Sequence, residues 1–380
     1  MAALGLYIHV PFCARICPYC NFNRGLFDAA LADRYVAAVE RHLERAAADA
    51  GLDGPPAADT IYFGGGTPSV LEPAAIARLI GACRQAFAVA PDAEITMEVN
   101  PDTAAPGALG GFRAAGVTRL SIGVQSVRDE ELRLLGRLHD AAGASRAFAG
   151  ARAAGFDNIS LDLMMGLPGQ TLAQWQESVV WLIAAAPEHA SMYILEVYPH
   201  GALRADMDRQ GLASIADDDA ADMYEWAMGA AERAGLAQYE ISNVARPGFE
   251  SRHNLKYWTD GDWLGVGPGA HSTLGGVRWR TCDRTEDYVA AIGAGSDVKR
   301  DRRVLTTRER WEEALITGLR LTRGVAVDDL REKYGLDIWA RYGDHLQPYL
   351  AAGHLLFDGR RLRLSRQGML LANEVLAVFI

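Results

Sequence analysis

Residues 13–20 read Cys-Ala-Arg-Ile-Cys-Pro-Tyr-Cys, which places three of the five cysteines of the chain within eight residues. The thiolates of Cys13, Cys17 and Cys20 can hold three corners of a [4Fe–4S] cube and leave its fourth iron without a protein ligand. The same spacing also permits a zinc site in which His9 or another histidine supplies a fourth ligand. We therefore predict a metal site in this segment, with the cluster favoured and zinc as the alternative.

Composition and charge narrow the class of protein. The 380 residues include 38 basic and 48 acidic side chains, and the net charge of −10 argues against binding to nucleic-acid phosphates. An odd number of cysteines, with Cys83 and Cys282 isolated, does not indicate a disulfide framework. The sequence has no run of about 18 apolar residues, so no transmembrane helix is expected. The stretch Met1–Tyr7 lacks the basic region of a signal peptide, which favours a cytoplasmic location.

The first half of the chain alternates between strand-like and helical segments. The strand-like runs are Gly5–Pro11, Thr60–Phe63, Glu94–Val99, Arg119–Val124, Asn158–Met164 and Ser191–Val197. Segments rich in alanine and leucine separate these runs, which is typical of βαβ units and a parallel sheet. Six units are too few to close an eight-stranded barrel. The fold class is therefore α/β, and we predict a partial (β/α)6 barrel of the TIM type, with a doubly wound sheet as the alternative.

A second, smaller unit follows the predicted barrel. The composition changes around Gly293–Arg303, and the basic stretch Lys299–Arg303 is interpreted as a solvated linker. Beyond it, helical patterns precede a hairpin around Asp358–Gly359 and a last helix. We therefore divide the chain into a core at residues 1–300 and a small, helical, winged-helix-like module at residues 301–380.

Polar and small residues occur where the strand-like runs end. They are Cys13–Cys20 after the first run, Gly64–Pro68 after the second, Glu98 and Asn100 at the third, Gln125 at the fourth, Asp162 within the fifth, and Glu196 and Tyr198 at the sixth. In parallel α/β folds the carboxyl ends of the strands meet at one edge of the sheet, where sites assemble. We therefore expect these residues to converge on one mouth.

The cysteine spacing, with an aromatic residue (Tyr19) before the last cysteine, resembles the signature of the radical S-adenosylmethionine (SAM) superfamily. The resemblance implies that the amino and carboxylate groups of SAM chelate the open iron. It also implies that an electron from the cluster can cleave SAM to methionine and a 5′-deoxyadenosyl radical. The run Gly64-Gly65-Gly66-Thr67-Pro68 is similar to the glycine-rich strand end of the superfamily, which contacts the SAM amino group. Glycine suits such a contact because a backbone without a side chain can approach a ligand closely.

The resemblance extends to a narrower family within this superfamily. The residues that carry it are Tyr7 to Cys13, Gly64–Pro68, Glu98, Gln125, Arg137 and Asp162, and they resemble the family of oxygen-independent coproporphyrinogen III oxidases and HemW heme chaperones. It implies that Glu98, Gln125, Arg137 and Asp162 contact SAM, and that Tyr7, Tyr19 and Phe22 belong to the cofactor pocket. Carboxylates suit ribose hydroxyls or an ammonium group, and an arginine fork suits a carboxylate. For Arg137 the alternative is a surface arginine paired with Glu130 or Glu131.

Three features separate the two branches of this family. Phe22 stands where the oxidase has a further cysteine, and only twelve residues precede Cys13, whereas the oxidase carries an N-terminal extension. Residues 253–258 read His-Asn-Leu-Lys-Tyr-Trp and match the His-Asn-x-x-Tyr-Trp motif of the heme chaperones. The resemblance implies that His253 ligates heme axially and that the aromatic neighbours pack on the macrocycle. The alternative is a structural histidine in a loop region, Gly248–Gly276, with those aromatic residues in the core.

On this resemblance we expect a heme chaperone that binds heme and transfers it to apo-hemoproteins, with respiratory proteins as recipients. The expected cofactors are a [4Fe–4S] cluster, SAM and heme, and the expected partners include an electron donor. The cluster and SAM would support or gate this function; cleavage of SAM is left open, and no catalytic residue is assigned. His271 is a second candidate for a heme ligand, and peripheral contact with a membrane is compatible with respiratory recipients. The alternative is an oxygen-independent coproporphyrinogen III oxidase, which Phe22 argues against.

Overall fold

Six parallel strands in the first half of the chain form the open barrel. They are β1 (Leu4–Val10), β4 (Ala57–Gly65), β5 (Ala88–Val99), β6 (Arg119–Gln125), β7 (Ile159–Met165) and β8 (His189–Ile194). Strands β2 (Phe12–Cys13) and β3 (Gly25–Leu26) pair with each other in a separate small sheet. The helices are α1 (Ala29–Asp49), α2 (Pro73–Ala86), α3 (Pro106–Ala115), α4 (Asp129–Leu134), α5 (Ala141–Ala153) and α6 (Leu172–Ala185). This computed structural model describes residues 3–49 and 55–380, so Met1 and Ala2 of the N-terminal stretch lie outside the described residues. Within them, six strands run parallel in the order β1-β4-β5-β6-β7-β8, which confirms the partial (β/α)6 barrel.

Each barrel strand alternates between apolar side chains that face the helices and polar or small side chains that face the barrel interior. In β6, Leu120, Ile122 and Val124 are fully buried in the hydrophobic core. Their neighbours Ser121 and Gln125 line an interior pocket. The barrel therefore has a polar lining inside an apolar layer, and this lining carries the candidate site.

The chain between the barrel and the C-terminal module adds strands to both edges of the sheet. These elements are α7 (Ala202–Gln210), α8 (Asp217–Arg233), β9 (Ala237–Glu240), β10 (Asn243–Ala245), α9 (Arg252–Trp258), β11 (Trp263–Val266), β12 (His271–Leu274), β13 (Val277–Thr281), α10 (Thr285–Gly293) and β14 (Lys299–Val304). Strand β11 pairs in parallel with β1 and is followed by the antiparallel β12, β13 and β14, while β10 and β9 extend the sheet beyond β8. The described part of the chain thus contains one sheet of twelve strands.

Two interpretations made from the sequence of this region are wrong. Gly248–Gly276 is not a loop region, because it contains α9, β11 and β12. Lys299–Arg303 is not a linker, because it belongs to the edge strand β14, which pairs with β13. Such short strands depend on partners that are distant in sequence, so local composition does not reveal them. Glycines that suggested a loop make close contacts instead: a Cβ on Gly267, whose φ is +103°, would lie 2.4 Å from the carbonyl oxygen of His9.

The C-terminal module combines helices with a small sheet. Its elements are α11 (Thr307–Gly318), β15 (Val325–Ala326), α12 (Val327–Tyr334), α13 (Ile338–Ala351), β16 (Leu355–Phe357), β17 (Arg361–Leu364), α14 (Arg366–Leu370) and α15 (Ala372–Leu376). Strand β17 lies between β15 and β16 and is antiparallel to both, which confirms the hairpin expected from the sequence. Because β14 continues the large sheet to Val304, the division at residue 300 falls inside that strand. Across the described elements, no helix is both long enough and apolar enough to cross a membrane.

Candidate cluster and cofactor site

A pocket opens at the carboxyl ends of the barrel strands. Of the residues predicted for the site, those in its lining are Cys13, Cys17, Tyr19, Cys20, Phe22, Gly65, Gly66, Thr67, Glu98, Gln125, Arg137 and Asp162. Asn100, Glu196 and Tyr198 also line the pocket, so residues that follow all six barrel strands converge on one mouth. Tyr7, Gly64 and Pro68 are not part of the lining.

The cysteine segment covers one side of this pocket. Cys13 lies in β2, and its Sγ accepts a hydrogen bond from Thr67 Oγ1 at 3.5 Å. The backbone turns between Cys17 and Cys20, where the N–H of Cys20 donates to the carbonyl oxygen of Cys17 at 3.2 Å. Arg24 fixes the end of the segment because its guanidinium donates to the carbonyl oxygen of Cys20. Burial raises the pKa of the Cys13 and Cys20 thiols, so their thiolates require a positive partner such as cluster iron.

The zinc alternative does not fit this geometry. His9, the suggested fourth ligand, already has a partner at each ring nitrogen: Nδ1 lies 3.1 Å from Tyr7 Oη, and Nε2 lies 2.7 Å from the carbonyl oxygen of Asn23. Three spaced thiols around one pocket suit a four-iron cube, which is wider than a single ion and leaves one iron open.

The glycine-rich run at the end of β4 packs against the protein itself. A Cβ on Gly65, whose φ is +115°, would lie 2.6 Å from the His9 ring, and a Cβ on Gly66 would lie 2.6 Å from the carbonyl oxygen of Phe12. The N–H of Gly65 donates to Glu98 Oε2 at 3.1 Å. Glycine is therefore required for the packing of this strand end, and it also leaves the backbone of both residues open on the pocket side.

Two partly buried carboxylates face the pocket from the barrel interior. Glu98 accepts a hydrogen bond from Tyr62 Oη at 2.9 Å, and burial together with the neighbouring Asp162 charge raises the pKa of Glu98 to about 7. Asp162 accepts hydrogen bonds from the hydroxyl groups of Ser121 at 2.8 Å and Ser160 at 2.9 Å, and burial raises its pKa as well. A ligand with ammonium or hydroxyl donors would stabilise both carboxylates in their charged form.

Arg137 lies in the pocket and not on the surface. Its guanidinium donates to Asn100 Oδ1 at 2.7 Å and to a backbone carbonyl at 2.8 Å. Its buried Nε has no hydrogen-bond partner among the described residues, which suits a ligand carboxylate. The alternative of a surface pair with Glu130 or Glu131 is wrong, because Arg128 is the arginine beside both carboxylates, 3.8 Å from each.

Gln125 occupies an unusual backbone position at the end of β6. Its φ is +68°, in the left-handed region that residues other than glycine rarely adopt. The pairing of β6 with β7 is irregular between Gly123 and Gln125, and such a bulge re-aims a side chain. The result is that Gln125 lines the pocket although it ends a strand.

His253 lies at the opposite end of the barrel from the cysteines. It is the second residue of α9, is 1% exposed, and its Nδ1 lies 2.8 Å from Oγ1 of Thr60, near the start of β4. Its Nε2 lies 2.9 Å from Tyr257 Oη. In this conformation both ring nitrogens are engaged inside the protein, so the prediction of axial heme ligation is not supported and a structural role explains the residue. The second candidate, His271, is exposed on β12 and is not part of the pocket lining.

The helix that carries His253 closes the bottom of the barrel. Glu94 of β5 accepts hydrogen bonds from the N–H groups of Arg252 and His253, both at 3.0 Å, and so caps the start of α9. At the other end of the helix, the guanidinium of Arg320 from the C-terminal module lies 4.6 Å from the Trp258 ring centroid. The His-Asn-x-x-Tyr-Trp stretch therefore joins the barrel to the module.

Sequence reasoning missed several residues that face the barrel interior. Ser121, Met164 and Tyr193 line the pocket, and Ser160 and His189 are linked to it by hydrogen bonds. The signal that could have found them is the period-two alternation of the strands. Residues 159–165 read Ile-Ser-Leu-Asp-Leu-Met-Met, in which every second residue from Ser160 shares a face.

Large apolar side chains are exposed around the mouth. Phe22 is 60% exposed and Ile194 is 54% exposed, and both line the pocket. Ile16 of the cysteine segment and the rings of Tyr193 and Tyr198 are also exposed. Exposed apolar patches of this kind mark surfaces for ligands or partners.

Comparison with known proteins first defines the class. The family model described as the Radical SAM superfamily matches residues 7–182, and the model described as the HemN C-terminal domain matches residues 305–371. Among solved structures, coproporphyrinogen III oxidase (HemN) from Escherichia coli has the same fold, with a TM-score of 0.87 and 24% sequence identity over 99% of this chain and 90% of that one. The open barrel, the cysteine segment and the small module are those of a radical SAM protein.

Curated relatives then narrow the family. The chain is 37% identical to heme chaperone HemW from Bacillus subtilis, over 98% of each protein. It is also 37% identical to heme chaperone HemW from Mycobacterium tuberculosis, over 99% of this chain and 94% of the relative. A bovine relative, the mitochondrial radical S-adenosyl methionine domain-containing protein 1, is 36% identical over 98% of this chain and 86% of its own length. The chain therefore belongs to the HemW family of the radical SAM superfamily. Membership of that superfamily implies a SAM-binding [4Fe–4S] cluster, and the three thiols at the mouth fit this group.

Proposed function

We propose that this protein is a heme chaperone that binds heme and transfers it to apo-hemoproteins. The observation that carries the proposal is the likeness, over nearly the whole of both chains, to proteins named heme chaperone HemW. The exposed apolar mouth supports it, because a porphyrin macrocycle is a large, flat and apolar ligand. The expected recipients are respiratory hemoproteins, and an electron donor to the cluster is a further expected partner.

We also propose that Cys13, Cys17 and Cys20 hold a [4Fe–4S] cluster whose open iron takes SAM. When bound, the cluster supplies the electron that can cleave SAM. The residues proposed to surround SAM are Tyr19, Gly65, Gly66, Thr67, Glu98, Gln125, Arg137 and Asp162. Tyr7, Gly64 and Pro68 are not part of the pocket lining and are left out of this set. The carboxylates accept hydrogen bonds from ammonium or hydroxyl groups, and the unpaired Nε of Arg137 supports binding of a carboxylate.

Heme is proposed to pack on the apolar mouth. Phe22, Ile194 and Tyr198 offer apolar surface to the macrocycle, and Arg15 in the same lining can pair with a propionate. His253 receives no axial role in this conformation, because its two ring nitrogens are bonded to Thr60 and Tyr257.

The test uses the cluster-loaded protein under anaerobic conditions. We expect about four irons per chain. We also expect saturable heme binding in an absorbance titration and transfer of that heme to an apo-hemoprotein. In a parallel assay with SAM, a reductant and coproporphyrinogen III, we expect no protoporphyrin fluorescence after oxidation. Protoporphyrin formed at enzymatic rates would replace the chaperone proposal with the oxidase reaction, and absence of heme binding would also contradict the chaperone proposal.

A further inference from the structure

Asp162 is held by hydroxyl groups from three neighbouring strands. Ser121 of β6 donates to Oδ2 at 2.8 Å, and Ser160 of β7 donates to Oδ1 at 2.9 Å. Ser191 of β8, the register partner of Asp162, also donates to the carboxylate. Because these donors lie on the barrel wall, they set the orientation in which the carboxylate faces the pocket.

A chain of hydrogen bonds continues from Ser160 away from the pocket. Ser160 Oγ lies 2.8 Å from His189 Nδ1, and His189 Nε2 lies 2.8 Å from Tyr239 Oη. Ser160 and His189 are fully buried, so these bonds form in a medium of low dielectric constant, where they are stronger than in water. Asp162, Ser160, His189 and Tyr239 therefore form one continuous hydrogen-bond chain from β7 through β8 to β9.

The number of protons available fixes the direction of each bond. Ser160 has one hydroxyl proton and donates it to Asp162, so it accepts the proton of His189 Nδ1. Burial lowers the pKa of His189 well below its ordinary value, so the ring is neutral and its Nε2 is an acceptor. Tyr239 Oη accepts the N–H of Ser251 and donates its own proton to His189. Every proton in the chain thus points toward Asp162.

The C-terminal module fixes the end of this hydrogen-bond chain that lies farthest from Asp162. The carbonyl oxygen of Tyr239 accepts hydrogen bonds from the N–H of Thr322 at 3.0 Å and from its Oγ1 at 3.3 Å. The next residue, Glu240, is fully buried and accepts a hydrogen bond from Arg320 at 3.1 Å. Docking of the module therefore immobilises Tyr239, the residue at which the hydrogen-bond chain starts.

We propose that His189 and Tyr239 are positioning residues that hold Asp162 in the orientation that binds SAM, with the docked C-terminal module fixing the chain at Tyr239. This inference rests on the proposed function, because it takes Asp162 as a contact of SAM. His189 and Tyr239 act only through Ser160 and do not touch the ligand. This hydrogen-bond chain also gives a role to His189 and Tyr239, which are bonded to each other but do not line the pocket.

Three variants of the cluster-loaded protein test this proposal. His189→Leu removes both bonds of the ring, whereas His189→Asn retains an N–H donor at the position of Nδ1, and Tyr239→Phe removes only the hydroxyl. The matched control is Tyr288→Phe, because Tyr288 Oη lies 2.9 Å from Nδ1 of the buried His42 and joins α10 to α1 away from the pocket. The measurements are the Kd for SAM by titration calorimetry and the tautomer of His189 by histidine side-chain nitrogen NMR.

We expect His189→Leu to raise the Kd for SAM about tenfold, because it removes the donor behind a hydrogen bond to a buried charge. Tyr239→Phe should raise it about threefold, and His189→Asn should stay within about threefold of the wild type. The control should leave the Kd unchanged, and the wild-type ring should carry its proton on Nδ1.

If the wild type binds SAM and both the Asn and Leu variants bind it equally well, the positioning role is overturned and the proposed function stands. A proton on Nε2 of His189 would also overturn it. If the wild type does not bind SAM, the proposed SAM site fails and this inference fails with it. Should His189→Leu not fold, the affinity of Tyr239→Phe relative to Tyr288→Phe decides the question.

Discussion

Polar side chains lie at both ends of the barrel, but their surroundings differ. At the bottom, the nitrogens of His253 are bonded to Thr60 and Tyr257, and Glu94 caps the helix that closes the barrel. At the mouth, Arg137 keeps a buried Nε without a partner in the described structure, and large apolar side chains are exposed. A histidine or an arginine does not mark a site by its chemistry alone. Exposed apolar surface beside a pocket does so.

This difference predicts how substitutions at the two ends should behave. Changes at the bottom remove internal bonds and should lower the free energy of unfolding without changing ligand binding. Changes to exposed side chains at the mouth should weaken ligand binding and leave the free energy of unfolding nearly unchanged.

The largest effect is expected for Cys17→Ala at the mouth. This variant should lose its cluster, so that the iron content falls from about four per chain to near zero and SAM binding disappears with it. The free energy of unfolding of the apoprotein should change by less than about 0.5 kcal/mol, because Cys17 is partly exposed. Iron analysis and chemical unfolding check both points. Cys282→Ala, outside the cysteine segment, should keep the cluster, and a Cys17→Ala protein that keeps four irons would contradict the site.

At the bottom, His253→Ala should lower the free energy of unfolding by about 4 kcal/mol, because it creates a cavity and leaves two buried partners unpaired. The Kd for heme should not change. Denaturant unfolding and heme titration measure the two quantities, and His271→Ala, an exposed histidine, should alter neither. Loss of heme binding with unchanged stability would show instead that the barrel opens at this end and that His253 is a ligand.

Glu98 sharpens the comparison because it is a partly buried carboxylate at the mouth. Its pKa is raised from 4.5 to about 7, so its protonated form favours the folded apoprotein. The contribution of protonated Glu98 to the free energy of unfolding is fully present below pH 4.5 and is lost as the pH rises through 7. Relative to Glu98→Gln, the wild type should therefore lose up to about 3 kcal/mol of unfolding free energy over this range. Unfolding curves measured across the range check this, and identical pH dependence of the two proteins would contradict it.

The smallest effect is expected for Phe22→Asp. A charge in the apolar mouth should raise the Kd for heme about tenfold, because burying an unpaired carboxylate against the macrocycle is unfavourable. Stability should be unchanged, since Phe22 is 60% exposed. The matched control is Val180→Asp on α6, where the side chain is 56% exposed and is not part of the pocket lining. Equal heme affinity of both variants would remove Phe22 from the heme surface.

The sequence predicts those features that depend on local patterns. Alternating strands and helices are local, so the six barrel strands follow from the sequence, and the cysteine segment and the glycine-ended strand do too. The position of His253 could not be predicted, because it depends on α9 packing under Thr60, which lies far away in the chain. The same applies to the edge strand β14, whose partner is β13. The interior residues Ser160 and His189 could have been inferred from strand alternation once the inward face was known.

The edges of the large sheet bear on the behaviour of the protein at high concentration. Strands β9 and β14 are the outermost strands of the sheet, and edge strands expose backbone groups that can pair with another chain. The C-terminal module covers part of β9, where Glu240 bridges to Leu321. Strand β14 instead carries the consecutive charges of Lys299–Arg303, and such charges oppose the addition of a further strand. Replacing these charges with valine would leave the pocket intact and would expose the sheet to aggregation, so this charged edge serves solubility.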